Sequence, residues 1–155
     1  NYIKAFVKKG FLSVTGNNRD MRYMLTPKGD QHKSSLLMAY FQETIGLYKN
    51  VREEIQKKLM SCQDENIQTI ILYGAAETAE ITLAAAEQLG FDVVGVVDGK
   101  TEKQGNDFFG HVIESPSIIS ERRPDAIVIA SSGFQSQIYE SIKHYEKDNI
   151  KIRKL

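Results

Sequence analysis

Short apolar runs alternate with stretches of helical spacing along residues 69–155. The apolar runs predict five strands, at 69–73, 92–97, 112–113, 126–130 and 150–152. Helical spacing predicts three helices between them, at 78–89, 117–122 and 135–146. Apolar strands that alternate with helices are typical of a parallel sheet covered on both faces. Since crossovers are right-handed, we expect an α/β fold whose five-stranded parallel sheet has the order 3-2-1-4-5.

The beginning of the chain predicts a helix followed by a β-hairpin. Apolar residues recur at helical spacing from Tyr2 to Val7, and Gly10 is placed to end that helix. Two strand-like runs, 11–15 and 21–26, flank a polar turn. A helix and a hairpin correspond to half of a winged helix-turn-helix domain. Because so few elements cannot hold a core alone, we expect partner elements upstream or on another chain.

Residues 27–63 predict one long helix without an internal proline. A mostly apolar stripe on it steps by three or four residues, close to the seam of a coiled coil. The stripe consists of Leu37, Phe41, Thr44, Tyr48, Val51, Ile55 and Leu59. A second copy of the chain is the simplest cover for it, although the chain's own domains could cover it instead. We therefore expect a partial winged helix (1–29), a long dimerisation helix with a linker (30–66) and an α/β domain (67–155).

The net charge of zero hides an uneven distribution. Residues 1–30 carry six basic and two acidic side chains, residues 31–66 carry five of each, and residues 67–155 carry nine basic and thirteen acidic ones. A basic head on an acidic body indicates that the head meets a polyanion such as DNA. The single cysteine, Cys62, fits a reducing cytoplasm, and no apolar run is long enough to predict a membrane span. The start at Asn1, without an initiator Met or a signal peptide, suggests a fragment of a longer protein.

The loop after the first strand of the α/β domain carries a variant of the G-x-G-x-x-G/A phosphate-binding fingerprint. Gly74 permits a tight turn, Ala76 stands where a glycine usually lets the backbone approach a pyrophosphate, and Ala79 allows close helix packing. Asp98 ends the second strand, where an acidic side chain can accept hydrogen bonds from a ribose diol. Ala76 adds a methyl group, and Glu77 a negative charge, where a phosphate would bind. The order of these features predicts a Rossmann-like, nucleotide-binding domain.

A resemblance extends the interpretation of the first segment. The run from Tyr2 to Leu12, with the later run Arg22 to Gly29 that ends in Leu-Thr-Pro-Lys-Gly, resembles the recognition-helix-to-wing portion of MarR-type winged-helix regulators. Within that group it is most similar to the regulators associated with exopolysaccharide genes. Thr26 can cap the helix that begins at the following proline. The first two helices of such a domain are absent from this sequence, so we expect that the chain cannot read DNA by itself.

The MarR-type resemblance also implies which residues meet nucleic acid. Basic and amide side chains of the helix and the wing would contact phosphates or a minor groove. These residues are Lys4, Lys8, Lys9, Asn17, Asn18, Arg19 and Arg22.

A second resemblance covers residues 69–155. The runs 95–100, 109–113 and 124–131 resemble the Rossmann-type domain of bacterial nucleotide-sugar proteins. Its relatives include the nucleotide-sugar-binding modules of sugar acyltransferases, the front part of membrane sugar dehydratases, and CoA- or NAD-binding sensor domains. The resemblance implies a nucleotide-type ligand, such as a UDP-sugar, NAD(H) or CoA. With the loop after the fourth strand, the expected small-molecule site comprises Gly74, Ala75, Ala76, Glu77, Thr78, Asp98, Gly99, Lys100, His111, Ser131, Ser132 and Gly133.

The sequence contains no convincing motif for a catalytic site or a metal site. Tyr139 and Lys143 match the Y-x-x-x-K spacing of short-chain dehydrogenases, but the extra strands and the substrate lobe of such enzymes are missing. A pair of His111 with Ser131 or Ser132 of the 131–134 loop lacks a nucleophile-elbow motif and an evident orienting acid. The three histidines are too scattered for metal-ligand spacing. We therefore assign no catalytic residue and no metal site.

Two functions remain. The favoured one is a cytoplasmic, dimeric, DNA-binding transcriptional regulator, connected with polysaccharide biosynthesis, whose Rossmann-like domain senses a nucleotide-type effector. The alternative is a nucleotide-sugar-modifying enzyme module, either a dehydratase or epimerase or the binding domain that accompanies an acyltransferase.

Overall fold

A computed structural model describes residues 2–17 and 20–155 of the chain. The chain divides into two compact units, residues 1–49 and residues 50–155. Two of the residues expected to bind nucleic acid, Asn18 and Arg19, lie outside the described residues. Over the part of the chain that the structure describes, no helix is both long enough and apolar enough to cross a bilayer.

The first unit contains a helix, a hairpin and the first part of a long helix. Its elements are α1 (Tyr2–Lys8), β1 (Leu12–Thr15), β2 (Arg22–Leu25) and the beginning of α2 (Pro27–Asp64). The two strands pair antiparallel, with Leu12 opposite Leu25 and Thr15 opposite Arg22. The predicted helix and hairpin are therefore present. They do not by themselves make a winged helix, and the MarR-type domain remains a proposal.

The Leu-Thr-Pro-Lys-Gly segment joins the end of α1 to the start of α2. The Thr26 hydroxyl accepts a hydrogen bond from the Gly29 N–H at 3.0 Å and donates one to the Gly10 carbonyl at 2.6 Å. Thr26 is thus the N-cap of α2, with Pro27 at the first helical position, as the sequence predicts. Gly29 is required here, because a Cβ at this position would come within 2.0 Å of the Phe11 carbonyl oxygen.

The two parts of α2 differ in how their apolar stripe is covered. Leu37 and Phe41 are each 49% exposed in the first unit. Ile55 and Leu59 are buried in the core of the second unit, where they pack with sheet residues. The expected seam along the whole helix is therefore wrong for Ile55 and Leu59, because the chain's own sheet covers them.

The second unit is an α/β domain with a mixed, mostly parallel sheet of six strands. The strand order is β5-β6-β4-β3-β7-β8, and only the β5–β6 pair is antiparallel within this sheet. Short 3-10 turns, Pro116–Ile118 and Lys143–Asp148, precede α4 and follow α5. Beyond α2 the elements are β3 (Thr69–Tyr73), α3 (Glu77–Gln88), β4 (Asp92–Val97), β5 (Asp107–Phe108), β6 (His111–Glu114), α4 (Ile119–Arg122), β7 (Ala126–Ile129), α5 (Gln135–Ile142) and β8 (Lys151–Lys154).

The observed sheet differs from the predicted sheet by one additional strand. The five expected strands correspond to β6-β4-β3-β7-β8 and keep the expected relative order, but the all-parallel, five-stranded sheet is incomplete. The additional edge strand, β5, pairs Phe108 with His111 across a two-residue turn. Phe109 and Gly110 in that turn both have positive φ, at 52° and 87°, as a tight hairpin requires. Two residues of strand carry no periodicity, so the sequence pattern did not predict β5.

Residues of β3 face alternately toward two apolar cores. Ile70 and Leu72 pack with α3 and the second part of α2 on one face. Ile71 and Tyr73 pack with Ile119 and Ile142, from α4 and α5, on the other face. The sheet is therefore covered on both faces, and its carboxyl edge remains as the place where loops meet.

Candidate small-molecule site

A cavity of about 580 Å³ opens at the carboxyl ends of β4, β3 and β7. Its volume lies within the range of pockets that hold small molecules and cofactors. The β3–α3 loop forms its centre, the segment after β4 forms one side, and the β7–α5 loop forms the other. The cavity is lined by Tyr73, Gly74, Ala75, Ala76, Glu77, Thr78, Asp98, Gly99, Lys100, Lys103, Ala130, Ser131, Ser132, Gly133, Phe134, Gln137 and Ile138.

Gly74 makes the turn at the centre of the cavity. Its φ of +105° lies in the region that favours glycine, and its N–H donates to the Val97 carbonyl at 2.8 Å. A Cβ on Gly74 would come within 3.1 Å of the Ser131 Cβ. The positive φ fits the tight turn that the fingerprint predicts, and the missing side chain also allows the β3–α3 and β7–α5 loops to approach each other.

Two helices begin at this cavity without a side-chain cap. Ala76 is the N-cap residue of α3 and Phe134 is that of α5, and neither side chain bonds to the first-turn amides. The first turn of a helix presents unpaired N–H groups and a partial positive charge, which attract anions. Glu77 in the first turn of α3 is exposed and opposes this attraction. The cavity therefore has amide donors from two directions.

Asp98 connects the loops that surround the cavity. Its carboxylate accepts hydrogen bonds from the Ala75 N–H and the Lys100 N–H, each at 2.9 Å. Asp98 is only 8% exposed, and burial by itself would raise the pKa of its carboxyl. The two amide donors and the Lys103 ammonium outweigh burial and lower the pKa. The aspartate is therefore ionised at neutral pH, and much of its accepting capacity is used within the protein.

Lys103 places a positive charge beside the Gly74 turn. Its ammonium donates to the Ala75 carbonyl at 2.6 Å and lies 3.2 Å from Asp98 Oδ2. An ammonium group has three donors, so one remains for a ligand. Lys103 is not among the residues expected at this site, because it lies six residues beyond the end of β4 and only the fold of the intervening turn brings it back.

The structure brings together every residue expected at the small-molecule site except His111. His111 begins β6, and its Nε2 lies 3.8 Å from Glu87 Oε1 on α3, so it does not line the cavity. The expectation that it belongs to the site is therefore not supported by its position. The lining residues that sequence analysis missed are Tyr73, Lys103, Ala130, Phe134, Gln137 and Ile138. Phe134 is the last residue of the 131–134 loop that the sequence places at this crevice, and helical spacing from it points to Gln137 and Ile138.

The two residues of the Y-x-x-x-K spacing, Tyr139 and Lys143, each contact other side chains. The Tyr139 hydroxyl lies 3.4 Å from Glu146 Oε1, and the Lys154 ammonium lies 4.0 Å from the centre of the Tyr139 ring. Lys143 instead pairs with Glu140 at 2.6 Å. Among the described residues, no group of three or more His, Cys, Asp or Glu side chains could hold a metal ion.

Those of the expected nucleic-acid-binding residues that the structure describes lie exposed on the first unit. Lys4 and Lys8 are one helical turn apart on α1, which places them on the same face. Lys9 follows the helix, and Asn17 lies in the hairpin turn. Arg22 begins β2, with its Nε 3.6 Å from Asp20 Oδ1. These positions are accessible to a partner.

The strand order and the position of the cavity define this part of the chain as a Rossmann-like α/β domain with a small-molecule-sized site at the switch point of its sheet. The family model described as C2185-like, N-terminal, matches residues 66–153, and the chain belongs to this family. No curated protein matches the chain.

Similar solved structures include UDP-D-quinovosamine 4-dehydrogenase from Vibrio fischeri, with 19% identity and a TM-score of 0.47 over 57% of this chain and 78% of that one. They also include RSP, a Rex-family repressor, with 12% identity and a TM-score of 0.46 over 57% of this chain and 53% of that one. RSP in complex with β-NADH has 13% identity and a TM-score of 0.45 over 66% of this chain and 61% of that one.

Proposed function

We propose that the protein is a DNA-binding transcriptional regulator whose α/β unit senses a nucleotide-type effector, such as a nucleotide sugar, NAD(H) or CoA. One observation carries this proposal. A cavity of about 580 Å³ at the switch point of the sheet combines a glycine turn, two uncapped helix starts and a lysine ammonium. These are the donors that a phosphorylated ligand requires.

The phosphate part of the ligand would lie between the start of α3 and Lys103. The amides of Glu77 and Thr78 begin α3, and the Lys103 ammonium lies beside the same loop. The positive charge of Lys103 would offset the negative charge of Glu77, which is one of the two departures from the fingerprint. Asp98 would orient these donors, and its Oδ1 atom could still accept a ribose hydroxyl.

The first unit would supply the contact with DNA. Lys4 and Lys8 share one face of α1, and Asn17 and Arg22 belong to the hairpin, so both elements offer donors for phosphate oxygens. Most of the charge on these exposed positions is positive, which favours any polyanion. We therefore assign phosphate contacts to these residues, together with the expected contacts of Lys9, Asn18 and Arg19.

A second copy of the chain would cover the exposed part of α2. Leu37, Phe41 and Tyr48 are each about half exposed and follow one another at coiled-coil spacing. A regulator of this kind acts by population shift, so the effector must bind two arrangements of the dimer with different affinities. A typical coupling of about 1–3 kcal/mol would change DNA affinity about 5- to 150-fold.

A thermal-shift screen tests the effector site. The protein is heated with NAD, NADH, CoA, UDP and UDP-sugars, and a ligand present at 100 times its Kd should add about 2.7 kcal/mol to the free energy of unfolding. For a ligand that stabilises the protein, Lys103→Met should weaken binding about 10- to 150-fold, because a charge-assisted hydrogen bond is lost.

Lys147→Met serves as the control for Lys103→Met, because it removes the same charge from an exposed position outside the cavity. Its ligand affinity should equal that of the wild type. Absence of stabilisation by every ligand would refute the sensing role. Turnover of a UDP-sugar would favour the alternative of a nucleotide-sugar-modifying enzyme module.

A further inference from the structure

We propose that Phe134 is the platform on which an aromatic ring of the nucleotide stacks, and that the Gln137 amide contacts the edge of that ring. This inference rests on the proposed function and specifies the ligand further. The site would select nucleotides for their base, in addition to their phosphate groups.

Phe134 occupies a position where a phenylalanine does not stabilise the fold. It is the N-cap residue of α5, a position that favours Ser, Thr, Asp or Asn because their side chains can bond to the free amides. Phe134 is 55% exposed and lines the cavity. A large apolar side chain that neither caps the helix nor fills the core is explained by a ligand that covers it.

The first turn of α5 groups two further side chains with Phe134. Gln137 and Ile138 follow at the third and fourth positions, so they lie on the same face of the helix and also line the cavity. Ile138 packs against the core, which holds this face in place. The Gln135 amide is bonded to the Leu155 carbonyl. Gln137 is exposed and lines the cavity, and its side-chain amide offers both donors and an acceptor.

The ring platform and the phosphate donors lie on different sides of the Gly74 turn. Lys103 follows β4, Phe134 follows β7, and β3 separates these two strands in the sheet. Two strand spacings correspond to about 10 Å. An extended ligand can therefore place its phosphate groups beside Lys103 and its ring on Phe134 at the same time.

A fluorescent reporter can test the platform directly, because the chain contains no tryptophan. Phe134→Trp introduces one indole on the cavity wall and keeps an aromatic surface for stacking. Addition of NADH, ADP, UDP or CoA should quench or shift its emission if a base stacks there. Phe109→Trp is the matched control, because Phe109 is 61% exposed and does not line the cavity. Its emission should not respond.

Calorimetry with the same nucleotides separates stacking from simple packing. Phe134→Ala and Phe134→Leu should each weaken binding about 5- to 150-fold, and Phe134→Tyr should bind like the wild type, because only aromatic rings stack. Wild-type affinity in Phe134→Leu, or no response of the tryptophan at position 134, would overturn the platform while nucleotide binding stands. If the wild type binds none of these nucleotides, the proposed function fails, and this inference fails with it.

Discussion

At the scale of single residues, Asp98 determines the geometry of the site. Its carboxylate holds the Ala75 amide on one side and the Lys100 amide on the other, and both bonds measure 2.9 Å. A buried carboxylate that accepts hydrogen bonds from two backbone amides and an ammonium first of all holds the surrounding loops together. The sequence motif predicts a ribose contact at this position. The structure adds a role in shaping the loop that would hold the phosphate.

We therefore expect Asp98→Asn to lower both stability and ligand affinity. The amide has one acceptor oxygen where the carboxylate has two, so a buried donor loses its partner. This change should cost about 1–3 kcal/mol in the free energy of unfolding at neutral pH. Denaturant unfolding measures the stability, and calorimetry with the best nucleotide measures the affinity.

The effect of Asp98→Asn should also depend on pH. The pKa of Asp98 is lower in the folded protein than in the unfolded chain, so its stabilisation is complete above the unfolded-state pKa. That stabilisation is lost as the pH falls through the folded-state pKa. The difference in unfolding free energy between wild type and variant should shrink in that acidic range. A difference that is unchanged from neutral to strongly acidic pH would contradict the role of the charge.

Asp125→Asn provides a matched control at the opposite edge of the sheet. Asp125 Oδ2 accepts hydrogen bonds from the Gln68 and Thr69 amides at 2.9 and 2.8 Å, before β3 and at its first residue. These amides lower the pKa of Asp125, as the loop amides do for Asp98. The control should lose stability and leave nucleotide affinity unchanged. Equal loss of affinity in both variants would mean that general destabilisation explains the result.

At the scale of elements, the start of α2 depends on one side chain. Thr26 caps the helix and also bonds to the Gly10 carbonyl after α1, so it joins two elements of the first unit. Thr26→Ala should cost about 1 kcal/mol in local stability, since a typical N-cap contributes that much. Hydrogen exchange of the first-turn amides of α2, Gly29 among them, should become faster.

Thr44→Ala is the comparison for Thr26→Ala. The Thr44 hydroxyl bonds to the Tyr40 carbonyl within α2 at 2.9 Å and caps nothing. Such a bond inside a helix contributes little, and alanine is the better helix former, so stability should be unchanged or slightly higher. Equal acceleration of exchange at Gly29 in both variants would argue against the capping role.

At the scale of the whole molecule, exposed apolar surface and charge are unevenly distributed. The first unit carries the exposed apolar stripe of α2 and the basic helix α1, whereas the second unit has a closed core on both faces of its sheet. Large apolar residues in sequence on one exposed helix are typical of an interface. Assembly and polyanion binding would thus belong to the first unit, and small-molecule binding to the second.

The expected assembly is a dimer with twice the 17.5 kDa mass of the chain. Phe41→Glu places a charge in the middle of the exposed stripe and should shift the protein toward monomer, because an unpaired charge in an apolar interface is costly. Sedimentation velocity over a range of concentrations measures the distribution. Gln42→Glu adds the same charge at the next exposed residue without removing an apolar side chain, and it should leave the dimer intact. A wild-type protein that remains monomeric at high concentration would rule out this interface.

Several parts of the site could be predicted because they follow directly from strand ends. Gly74 and Asp98 each come immediately after an apolar strand, and the carboxyl ends of neighbouring parallel strands meet at one edge. Ser131 lies two residues beyond the end of β7, at the same edge. His111 does not line the cavity because β6 begins at it, which puts it at the opposite end of its strand from the cavity. A residue therefore lies near the cavity when it follows the carboxyl end of a parallel strand, and away from it when it lies at the amino end.

The sequence by itself determined the helices, the parallel strands and their relative order, because apolar periodicity and chain handedness are local or nearly local properties. It also determined where the cavity lies. Only the tertiary structure decided that Lys103 returns to the Gly74 turn, that Asp98 uses its carboxylate on backbone amides, and that the second part of α2 is covered by its own sheet. These three features depend on contacts between residues that are far apart in the chain. A local sequence pattern does not specify which of several possible partners a side chain will contact.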